Sequence, residues 1–197
     1  METIDPSDPG TFRAYLADAL KATKLALDDG VSWAEAVLHD RQFDPWLWAH
    51  MVRYHARGRL NEPAVRDWTL TPGIAHSGIE ITKGPLSLRV LKSLRDGPPN
   101  PGHSSSRRAF YQQCLQLDFD GASVPSTGGN LILDWTVDRR NLALTLGLSK
   151  PAGAWPYGGH PDVDWRLMVS FDDDFPTFTS SDEPLDLDPS EEIEDEQ

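Results

Sequence analysis

His160, Asp162 and Asp164 alternate along the chain, so on an extended strand their side chains share one face. Imidazole and carboxylate groups hold hard divalent cations. With Asp134 or Asp118 from a neighbouring strand, such a set would support metal-assisted cleavage of a phosphodiester. The competing reading is plainer. One strand rarely supplies three ligands, and aspartates at strand starts are routinely solvated.

A second grouping suits anions. Between His76 and Gln113 the residues Lys83, Arg89, Lys92, Arg95, Arg107 and Arg108 stand against only Glu80 and Asp96. Guanidinium groups bind phosphate in a bidentate way, and the serines Ser104, Ser105 and Ser106 would open a helix beside two arginines. Arg89, Arg95, Arg107 and Arg108 are therefore candidate phosphate-binding residues, with nucleic acid as the partner class for the stretch 83–108. A solvated helix face with a serine cap explains the same residues without a ligand. The connector Gly97-Pro98-Pro99-Asn100-Pro101-Gly102 is too long and too rich in proline for a helix-turn-helix.

The third candidate is the loop from Lys150 to Pro161, which is longer than a hairpin needs. It presents Trp155, Tyr157 and His160 on a glycine and proline frame, either as a contact surface for a peptide, base or sugar or as a lid over the core. His50 and His55 lie five residues apart, which on a helix is about 140° and too wide to chelate one ion. No nucleophile elbow, phosphate-binding glycine loop, dinucleotide fingerprint or zinc-finger spacing occurs, so no cofactor is expected. Cys114 is the single cysteine; it excludes an internal disulfide and reads as a small core hydrophobe in a reducing compartment.

Charge divides the chain. Residues 172–197 contain twelve acidic side chains and no lysine or arginine, whereas the rest carries 18 basic and 19 acidic residues. A stretch of that composition cannot offset its ordering entropy by apolar burial and is expected to be a disordered tail. Tethered beside a basic patch, it would compete for that patch with nucleic acid.

The elements that must position these groups follow from periodicity. Asp8-Pro9 starts a helix carrying Leu16 and Leu20 that is expected to stop at Gly30, and Ser32 to Glu35 reads as a capping box for a second. Asp44-Pro45 starts another that runs to Gly58. The aromatic stripe of Trp33, Trp46, Trp48 and Tyr54 is expected mainly to pack these helices on each other. Ile79 and Ile81 suggest a short strand; Gly84-Pro85 reads as the start of a helix through Leu86, Val90, Leu91 and Leu94. From Leu115 the period becomes two, in runs at 115–119, 131–137, 142–148 and 163–171.

The expected fold is α+β: an N-terminal helical lobe and further helices on one face of a mostly antiparallel sheet of about four strands, the other face being mostly wet. One domain spans 8–171, with the lobe at 8–58, the sheet-forming part at 76–171 and the tail at 172–197. There is no export signal or membrane-length apolar run, so a cytoplasmic protein without membrane contact is expected. Thirteen arginines against five lysines, with 16 prolines, hint at a GC-rich coding genome, and the protein is expected to be bacterial. The functional expectation is a non-enzymatic regulatory or macromolecule-binding protein that meets another protein through its aromatic loop and acidic tail; the alternative is a metal-dependent nuclease or other phosphoester-handling enzyme. Oligomeric state is not set by these residues.

Overall fold

The computed structural model describes residues 9–39, 44–61, 67–72, 78–84, 86–93, 97–112, 129–153, 161–172 and 175–180. Helix α1 spans Pro9–Leu38 and α2 spans Pro45–Leu60. Strands β1 (Thr69–Leu70), β2 (Ile79–Lys83) and β3 (Leu86–Lys92) follow, then helix α3 (Ser105–Tyr111) and strands β4 (Asn130–Asp138), β5 (Ala143–Pro151), β6 (Val163–Asp172) and β7 (Phe175–Ser180). All seven strands lie in one sheet in sequence order. The class is α+β, as expected, with more strands than four. Among the described residues no helix is long and apolar enough to cross a membrane.

Gly30 does not end a helix. It lies inside α1, where a Cβ would come within 2.6 Å of the Val52 carbonyl oxygen on α2. The missing side chain lets the two helices approach closely, and tertiary contact outweighs its poor helix propensity. Ser32 likewise caps nothing: its Oγ donates to the Asp28 carbonyl at 3.0 Å within the same helix. Helix α2 does begin as its sequence implies, with the Asp44 carboxylate accepting from the amides of Trp46 at 2.8 Å and Leu47 at 3.1 Å.

The segment read as a helix after Gly84 is strand β3. It pairs antiparallel with β2, with Ile81 opposite Leu88, and parallel with β4, with Val90 beside Leu133. Gly84, at φ +54°, makes the tight turn between β2 and β3. The β3–β4 pair is the one parallel contact in the sheet, so the chain must cross from the end of one strand to the start of the next, and α3 lies in that crossover.

One face of the sheet meets the lobe. Ile81, Leu88, Val90, Leu133, Trp135 and Leu148 are buried there in one cluster with Leu16, Leu20, Leu27, Trp48 and Val52 of α1 and α2. On the opposite face, Leu91 and Ile132 are buried against Phe110 and Tyr111 of α3. That second face is therefore not wet along β4 and β5. Asp134 is 2% exposed and Ser149 is fully buried, and the Asp134 carboxylate meets the Arg166 guanidinium at 3.2 Å. A Cβ on Gly147 would lie 2.7 Å from both Asp134 Oδ2 and the Arg166 guanidinium, so glycine at this position makes room for the buried pair.

The sheet also continues past Phe171. Asp172 ends β6, and β7 pairs antiparallel with it, Val169 opposite Phe178. The folded part thus extends to Ser180, into the stretch expected to be tail; residues 181–197 and the 115–119 run lie outside the described residues.

Candidate anion-binding site

Helix α2 places Trp48 beside the carboxyl ends of the parallel strands β3 and β4. Its Trp48 is buried with its ring 6.1 Å from that of Trp135. Two cations lie over the Trp48 ring: the ammonium of Lys92, the last residue of β3, at 5.3 Å, and the guanidinium of Arg139, just past β4, at 5.6 Å. An aromatic face attracts cations at such distances. Arg139 is held from the other side by Glu35 of α1 at 3.3 Å.

Arg53 stands further along α2. Burial holds its guanidinium pKa below the ordinary value, and the charge of Arg107 on α3 lowers it further. The Lys92 ammonium is pushed down in the same way, first by burial and then by Arg139 and Arg53. The four cations, from α2, β3, α3 and the β4–β5 turn, are thus linked in series: Arg107 acts on Arg53, and Arg53 and Arg139 act on Lys92. Arg53, Lys92 and Arg107 form no ion pair with any described residue, and Arg53 Nε is buried without a hydrogen-bond partner among them. Unneutralised, half-buried positive charge is costly, and a bound anion would offset that cost.

The same flank of α2 carries exposed rings. Trp46 and His50 stack with centroids 5.4 Å apart and planes 3° from parallel. Trp46 and Tyr54 are each 66% exposed. The stripe expected to pack the lobe therefore divides: Trp48 is core, while Trp46 and Tyr54 face solvent.

Of the candidate phosphate-binding residues that are described, only Arg107 joins this site. Arg89 lies on the opposite face of the sheet, where its Nε donates to Glu80 Oε2 at 2.8 Å and its guanidinium covers the Phe110 ring at 4.2 Å. It fastens α3 to the sheet. Arg108 is exposed and donates through Nε to the Gly102 carbonyl at 2.7 Å, closing the loop before α3. The Ser104 side chain caps α3 by accepting from the Arg107 amide at 3.4 Å. Arg89 and Arg107 still share an influence: burial raises the Tyr111 hydroxyl pKa, Arg107 opposes that rise, Asp134 adds to it and Arg89 opposes it. Tyr111 donates its hydroxyl proton to the Pro99 carbonyl.

Arg95, Trp155, Tyr157, His160, Asp118 and Cys114 lie outside the described residues. Of the carboxylates proposed for metal, Asp162 is exposed, while Asp164 meets Lys150 at 2.7 Å and Asp134 meets Arg166, so these two face cations. Among the described residues no three His, Cys, Asp or Glu side chains are grouped to hold a metal ion.

Sequence reasoning counted Lys92 in the basic stretch but missed Arg53, Arg139 and the exposed Trp46–His50 stack. One signal was present: at 100° per residue, Trp46, His50, Arg53 and Arg57 fall within roughly 60° of one another on α2. Arg139 carried none, because a turn arginine is ordinarily solvated. Compared with known proteins, the chain matches no family model, no curated protein and no solved structure.

Proposed function

We propose that this is a non-enzymatic binding or regulatory protein, bacterial and cytoplasmic, whose partner presents a run of negative charge to Arg53, Lys92, Arg107 and Arg139. The observation that carries this reading is the gathering of those cations: Lys92 and Arg139 lie over the Trp48 ring, burial and then neighbouring cations lower the pKa values of Arg53 and Lys92, and Arg53, Lys92 and Arg107 form no ion pair with a described residue. Perturbed charges of this kind gather at functional sites. Nothing specific favours the metal-dependent phosphoester enzyme, because Asp134 and Asp164 are engaged by cations.

The chain's acidic terminus is the natural competitor. Nine acidic residues follow Ser180, and a tethered polyanion is present at high effective concentration near any basic site its linker can reach. Calorimetric titration of the full chain with inorganic polyphosphate tests the reading. Saturable binding that falls at least tenfold in the Arg53→Gln, Arg107→Gln double variant is the expected result. Equal binding by wild type and variant would remove the site.

A further inference from the structure

We infer that the anionic partner is a single-stranded nucleic acid whose bases stack on the Trp46–His50 pair and on Tyr54 while its phosphates meet the adjacent cations. The inference rests on the anion-binding reading above and names the ligand class. Three observations point this way. Trp46 and Tyr54 are two-thirds exposed on a helix whose other tryptophan is core, so their rings are left to solvent. Trp46 and His50 already stack face to face, which leaves the outer ring surface open to one more flat group. Arg53 falls on the same flank of α2 as Trp46 and His50 by helical position, its Nε is buried without a hydrogen-bond partner among the described residues, and its charge interacts with those of Arg107 and Lys92.

Ring platforms beside a cationic track suit a strand whose bases are free to turn outward. Positions 46, 50 and 54 follow at one helical turn, about 6 Å apart along the axis. A duplex keeps its bases at ~3.4 Å per step and buries their faces, so it cannot use the three rings. An acidic peptide offers carboxylates but no succession of flat rings.

The test is fluorescence anisotropy with a labelled 20-nucleotide oligothymidylate, run beside a 20-base-pair duplex, polyglutamate and polyphosphate on the full chain. Expected is tighter binding to oligothymidylate than to duplex or polyglutamate, with a loss of about tenfold for Trp46→Ala and again for Tyr54→Ala. Both rings are exposed, so these variants should fold, which circular dichroism checks. Polyphosphate binding should change less than twofold in them. Equal affinity for single strand and duplex, or unchanged affinity in Trp46→Ala, overturns the inference while retained polyphosphate binding keeps the anion site. Tighter binding to polyglutamate than to oligothymidylate overturns it in favour of an acidic peptide. Failure of all four probes overturns the anion site itself.

Discussion

Burial and then the guanidinium of Arg107 on α3 lower the pKa of Arg53 on α2, although the two helices cover opposite faces of the sheet. Arg53 in turn acts on Lys92, which converges with Arg139 on Trp48 at the carboxyl ends of β3 and β4. Here α2, α3, the end of β3 and the β4–β5 turn deliver four cations to that place.

A site that concentrates repelling cations costs stability when empty. Lys92→Met keeps the apolar stem over Trp48 and removes the charge, so it should raise the stability of the unliganded protein by about 0.5–2 kcal/mol while weakening polyphosphate binding. Urea unfolding with and without polyphosphate checks both. A variant less stable in both conditions contradicts the argument.

Lys92 also sets a pH dependence. Its pKa in the fold lies below the unfolded value of 10.5, so over that window the unfolded chain binds more protons and Lys92's contribution makes stability rise with pH. Polyanion binding favours the charged amine and should weaken over the same range. Lys92→Arg stays charged throughout and should flatten the decline. An identical pH profile of affinity in the two proteins would show that Lys92 does not face the ligand.

Gly30→Ala forces a methyl against the Val52 carbonyl and should destabilise the lobe by ~1–3 kcal/mol, despite alanine's better helix propensity. An unchanged or raised urea midpoint would mean that α1 and α2 are not in such close contact.

Asp134→Ala strands the Arg166 guanidinium, whose side chain is 13% exposed, and should cost ~3–5 kcal/mol. Gly147→Ala intrudes on the same pair and should be less harmful in the Asp134→Ala background than alone. Additive losses would contradict the role assigned to Gly147.

Much of this architecture was legible in the sequence. Proline and cap signals located the starts of α1, α2 and α3, and strict alternation located β4, β5 and β6. Strand β3 was not legible because Leu86, Val90 and Leu91 also fit a helical period; pairing with β2 and β4 decides the matter, and no local window contains it. Strand β7 was hidden by its acidic surroundings and by Pro176, which an edge strand tolerates. Arg107 was visible as a candidate, but its partners come from segments 15 to 54 residues away in the chain, and only the fold brings them together.

The most direct measurement is the salt dependence of polyphosphate affinity in the wild type and in Arg107→Gln. If Arg107 neutralises ligand charge, the variant binds more weakly and the slope of log affinity against log salt falls by about 1. Wild-type affinity and slope in the variant would contradict an anion site at the ends of β3 and β4.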